Sequence, residues 1–304
     1  MEYSVGNVGR CMEGGIEVCY CGTHMNADNT IETPDSNEPM GRPEWALTTL
    51  ALLFCAGVGY VGAAMVGFPY YRCFQGALVQ QPLAGAGGGL VGRVGVVLVG
   101  VQIAKSLTER IHLRMGFCIG MVSLLGFSLR GGTVGSVMEA AGGSEIFWAL
   151  AGELLGLTIL TAGVYAVYYR GHKPAGQDDA TKLAMGVLAQ AVTVAVMMLI
   201  LGKSDQKLQA TMAVLAASTC GSLAGLAVAG RVWRYGWCVP MAVGVAGYLV
   251  NAMTATGVDT ADLKGGAVGL AMALPVDYVA MGPVGTLLGE IIARHQGEPA
   301  PVVI

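Results

Sequence analysis

The sequence predicts an all-α fold, a polytopic bundle of about eight transmembrane helices, on three observations. Charged residues make up 12% of the 304-residue chain and hydrophobic ones 54%, with a mean hydropathy of +0.60. A soluble domain carries about 25% charged residues. Several apolar runs reach the roughly 20 residues needed to cross a hydrocarbon core of about 30 Å. Glycine is abundant at 47 residues, without the fixed period of a fibrous chain. Small residues suit helices that must approach closely where lipid removes the hydrophobic drive to associate.

Residues 1–44 are polar and read as a flexible N-terminal tail, with Met25 and Met40 as alternative starts. No basic segment leads into an apolar core there, so a cleaved signal peptide is not expected. The transmembrane domain is expected over 45–292, with a short C-terminal tail over 293–304. The first span, 45–67, opens at Trp45 and ends before Tyr70, Tyr71 and Arg72. The second, 83–104, carries Arg93 at its middle and stops at Lys105. The third, 113–129, is closed by Arg130. The fourth, 146–169, begins near Trp148, ends on Tyr168 and Tyr169, and contains Glu153. The fifth, 183–201, lies between Lys182 and Lys203, with Gln190 inside. The sixth, 208–230, lies between Lys207 and Arg231. The seventh, 235–253, begins with Tyr235 and Trp237 and includes Pro240. The eighth, 265–292, follows Lys264 and contains Pro275 and Pro283. Aromatic rings at span ends match the headgroup belt.

Loop charges orient the bundle. With the N-terminus in the cytoplasm, eleven Lys and Arg residues fall inside and five outside, the positive-inside bias of an N-in/C-in protein. The expected location is a membrane, crossed many times, and the cytoplasmic or inner membrane in a bacterial cell. No basic patch with interleaved aromatics suggests nucleic-acid binding.

Chemistry is confined to a few buried polar groups. Arg93 and Asp277 occupy the middles of their spans on glycine-rich faces, where an unpaired charge is costly, so they are expected to face each other or line one cavity. Glu153 joins them as the third candidate of a solute or ion path. Pro240, Pro275 and Pro283 each remove a backbone donor and mark candidate helix breaks of the kind found at transporter sites. Ala213, Ala217, Gly221, Gly225 and Ala229 recur every four residues. That ladder is expected to pack against another helix, within this chain or in a homo-oligomer.

The four histidines lie outside the span interiors, and neither a nucleophile elbow nor a phosphate loop is present. No enzyme and no cofactor are expected. Cys11, Cys19, Cys21 and His24 could offer soft metal ligands, although their spacing is not a zinc pattern; reduced thiols in the tail are the plainer reading. The leading expectation is small-solute or ion transport through a polar cavity around Arg93, Glu153 and Asp277. Its rival is a non-catalytic membrane scaffold or accessory subunit using small-residue helix faces.

Overall fold

The computed structural model describes residues 42–65, 95, 97–103, 106, 113–130, 133–134, 145–169, 180–203, 206–230, 233–254 and 269–297. Arg93, residues 1–41 of the N-terminal tail with Cys11, Cys19, Cys21 and His24, and residues 298–304 of the C-terminal tail lie outside the described residues.

Among the described residues the regular structure is helical, without strands. The helices are α1 (Arg42–Met65), α2 (Leu113–Arg130), α3 (Glu145–Tyr168), α4 (Ala180–Leu201), α5 (Lys207–Ala229), α6 (Trp233–Gly236), α7 (Val239–Thr254) and α8 (Pro275–Gly297). A 3₁₀ turn at Gly269–Ala271 precedes α8. Among the described residues, five stretches are long and apolar enough to cross a membrane: Ile146–Val167, Ala180–Leu201, Lys207–Ala229, Trp233–Thr254 and Pro275–Arg294. Ala46–Gly62 and Arg114–Gly126 are shorter apolar helices.

Helix α8 is the axis of the bundle. It packs on α2, α3, α5, α6 and α7, while α4 packs on α5 and α1 on α2. Its interior is almost wholly buried, whereas α4 exposes Met185, Leu188, Val192, Val196, Leu199 and Ile200. Buried polar groups beside exposed aliphatic faces reverse the usual partition of a soluble domain. The chain is therefore an apolar helical bundle compatible with an integral membrane protein.

Glycines set the helix spacing. A Cβ on Gly285 would stand 2.6 Å from the Leu215 carbonyl oxygen, and one on Gly289 would stand 2.7 Å from that of Thr219, so α5 and α8 meet backbone to backbone. The ladder on α5 faces inward. Ala213, Ala217, Gly221 and Gly225 are buried, and Gly221 lies against Gln190 and Val194 of α4. Within this chain, α4 covers that face at Gly221. Gly230 ends α5 with a φ of 71°, its N–H bonded to the Leu226 carbonyl at 2.7 Å; the left-handed conformation needs no Cβ there.

Pro275 is the first residue of α8, where a missing N–H breaks no helical bond and the fixed φ suits a helix start. Asp277 consequently sits in the first turn of α8 rather than at mid-span. Pro283 lies inside a continuous helix. Before Pro240, α6 ends at Gly236 and α7 begins at Val239. An uninterrupted helix would bond the residue-240 N–H to the Gly236 carbonyl; proline has no N–H to give.

Candidate functional site

Alternating helix directions create two poles. Arg114, Tyr169, Trp233 and Glu290 meet at one, and Ser128, Lys207 and Asp277 meet at the other. An ion pair on α8 marks each pole.

At the second pole Lys207, the first residue of α5, places its Nζ 2.7 Å from Asp277 Oδ2 and 2.9 Å from Oδ1. The Leu274 N–H donates to Oδ2 at 2.8 Å. This is one half of a capping box, the acid at the third helical position reaching back to the N–H of the residue before the helix. Ser128 Oγ donates to Oδ1, and the Thr211 hydroxyl lies 3.0 Å from it. The positive end of the α8 dipole adds a favourable field. Asp277 is 1% exposed and Lys207 is 15% exposed, so the cation forms the outer side of the pair.

The residues just before α8 are buried without regular helical bonding. Tyr248 donates to the Ala273 carbonyl and Tyr278 to that of Leu270. Irregular backbone at membrane depth requires such partners. Glu153 is half-buried on α3, with its charge in electrostatic reach of Tyr248, as is that of Asp277. Tyr248→Phe would leave the Ala273 carbonyl without its donor, at a cost of about 1–3 kcal/mol. The expected result is a lower melting temperature in detergent, read from labelling of the buried Cys118 thiol, with unchanged melting for the exposed Tyr235→Phe.

At the first pole Arg114 Nη1 lies 2.6 Å from Glu290 Oε2, with the guanidinium 5.8 Å from the Trp233 ring centroid. Arg114 is 40% exposed and Glu290 6%. Here too the acid is inside and the base outside. The two acids lie about 20 Å apart along α8 at about 1.5 Å per residue.

Buried polar groups lie between them. Thr211, Ser218 and Ser222 share the face of α5 that begins at Lys207; Asp277 meets Lys207 and Thr211 there, and the Thr286 carbonyl meets Ser222, whereas Glu290 turns to Arg114 of α2. Ser222 Oγ donates to the Thr286 carbonyl at 2.8 Å. From α4, Gln190 Nε2 donates to the Gly236 carbonyl at 2.9 Å, and the Thr286 hydroxyl lies 3.3 Å from the same oxygen. The carbonyl freed by Pro240 is therefore satisfied by side chains of two other helices.

The partner of Asp277 in the structure is Lys207, and Arg93 lies outside the described residues. Lys207, Glu290, Arg114 and the α5 hydroxyls did not stand out in the sequence. Their available signal was the spacing 207, 211, 218, 222, a single helix face. No protein-family model, curated protein or solved structure matches the chain.

Proposed function

We propose that this chain is a multi-pass membrane protein, N-in/C-in with the Arg114 pole in the cytoplasm, that moves a small solute or ion along the α5–α8 seam. We read it as a transporter and not as an enzyme. One observation carries this reading: buried carboxylate, hydroxyl and amide groups gather around the most enclosed of the described helices of an otherwise apolar bundle. Intramembrane polar groups are costly to insert and concentrate where substrates or ions pass. Both ends of α8 are closed by ion pairs whose cations lie outermost. Passage requires each pair to open in turn, so the arrangement corresponds to an occluded state. The interrupted helix at Trp237–Cys238 and the irregular run before Pro275 supply bending points beside these groups.

A second reading, the membrane scaffold, is favoured by the saturation of Asp277. Its carboxylate already receives Lys207, Ser128, Thr211 and the Leu274 N–H. On this reading the pair fixes helix register.

Flux and accessibility distinguish them. Proteoliposomes containing the full chain are challenged with proton, sodium and potassium gradients, and with urea, acetamide and glycerol by light scattering. Transport is expected to give flux above protein-free vesicles, falling about tenfold when Asp277→Asn removes a buried charge contact of about 1.4 kcal/mol. Flux equal to protein-free vesicles, with Ser128→Cys and Ser218→Cys unreactive to an impermeant thiol reagent, leaves the scaffold.

A further inference from the structure

What the core of the seam still lacks is hydrogen bonds, not charge. Each acid on α8 has its own cation, Lys207 for Asp277 and Arg114 for Glu290. Between them, Gln190 Oε1 and Ser218 Oγ are buried without a hydrogen-bond partner, in residues at 0% exposure. Trp237 Nε1, on the turn that breaks the α6–α7 helix, is likewise unpartnered. Leaving such groups unmet costs about as much as losing a hydrogen bond.

Their neighbours make the omission specific. Thr158, Thr161, Thr211 and Thr219 lie 2.7–2.8 Å from the carbonyl one turn back in their own helices, the local solution open to any helical hydroxyl. Ser218 does not use it. Gln190 turns its nitrogen to the Gly236 carbonyl, and its oxygen then lies beside the Gly236 α-carbon. A Cβ on residue 236 would stand 2.8 Å from that oxygen, so glycine keeps its approach open. Gln190 reaches Thr286, and Ser218 lies beside Gly285; both therefore face the same step of α8.

We infer that Gln190, Ser218 and the broken turn at Gly236–Trp237 form a binding site for a small uncharged molecule with both a hydrogen-bond donor and an acceptor, such as a primary amide. A donor on the ligand meets Gln190 Oε1, and its acceptor takes the Ser218 hydroxyl. An ion gains nothing there, because no unmatched charge faces it from the two α8 pairs. The inference rests on the transport reading for the ligand's movement, and on the geometry alone for its binding.

Acetamide is the probe. The full chain, labelled with nitrogen-15 at glutamine side chains, is titrated in detergent, and the Gln190 resonance is identified by its loss in Gln190→Leu. A saturable acetamide-dependent shift is expected, absent with sodium chloride, its half-saturation raised about tenfold in Ser218→Ala. Ser218→Ala keeps the Gly236 contact of Gln190 and so preserves the fold if Gln190→Leu does not. No saturable shift, or a shift unaltered by Ser218→Ala, overturns the site. Acetamide uptake into proteoliposomes is then read separately. A saturable shift without uptake upholds the site and removes transport, whereas uptake undiminished in Ser218→Ala upholds transport and removes the site.

Discussion

Lys207→Met is expected to destabilise the protein by about 3–5 kcal/mol, the cost of leaving a buried carboxylate without its counter-ion. Asp277 cannot follow solvent, since it is 1% exposed and fixed by the Leu274 N–H. Removal of the acid is expected to cost less. In Asp277→Asn the Lys207 ammonium, at 15% exposure, can swing outward on its four-carbon stem and recover hydration. The double variant Lys207→Met/Asp277→Leu is expected to recover most of the loss, because apolar replacement of a whole buried pair is often neutral or stabilising. Thermal unfolding of all four proteins in one detergent completes the cycle. A double variant as unstable as the sum of the singles would show that the two side chains do not act as a pair. If the double variant is stable but inactive in flux, the pair belongs to function and not to the fold.

The helices were legible because crossing a bilayer demands length, and length survives in apolar runs such as 183–201 and 208–230. The close-packing sides of α8 were legible for a related reason. Gly285 and Gly289 recur at four-residue spacing, and both meet α5. The partner of Asp277 was not legible. Depth along a span suggested Arg93, whereas Lys207 was assigned to a loop because it borders the apolar run. At the first position of α5, however, its stem carries the ammonium across to the first turn of α8. The stretch before Pro275 is apolar and glycine-rich, and hydropathy does not separate a 3₁₀ turn from the start of an α-helix. The seam escaped notice for want of contrast. Ser and Thr are nearly neutral on hydropathy scales, and their significance lies in sharing the face of Lys207.

Glycines in this chain perform two different tasks, and substitution to alanine is expected to separate them. At Gly285 a Cβ would stand 2.6 Å from the Leu215 carbonyl oxygen and 2.7 Å from Ser218 Cβ; at Gly289 it would stand 2.7 Å from the Thr219 carbonyl oxygen and from Ser222 Cβ. Two of these obstacles are backbone atoms of α5, which cannot rotate aside, so the helices must separate. Overpacking of this kind costs about 1–3 kcal/mol. The displacement also pulls Ser222 from the Thr286 carbonyl and strains the Lys207–Asp277 contact on the same interface. At Gly152, Gly156 and Gly163 of α3, by contrast, a Cβ would meet nothing within 4 Å. Alanine at any of these three gains the helix propensity that glycine lacks, up to about 1 kcal/mol. Gly285→Ala should therefore melt below the parent and Gly156→Ala at or above it, although both replace one hydrogen by one methyl group in an apolar helix. Equal melting temperatures would mean that α5 does not lie against α8 at Leu215–Thr219, and the polar contacts between those helices would lose their geometric basis.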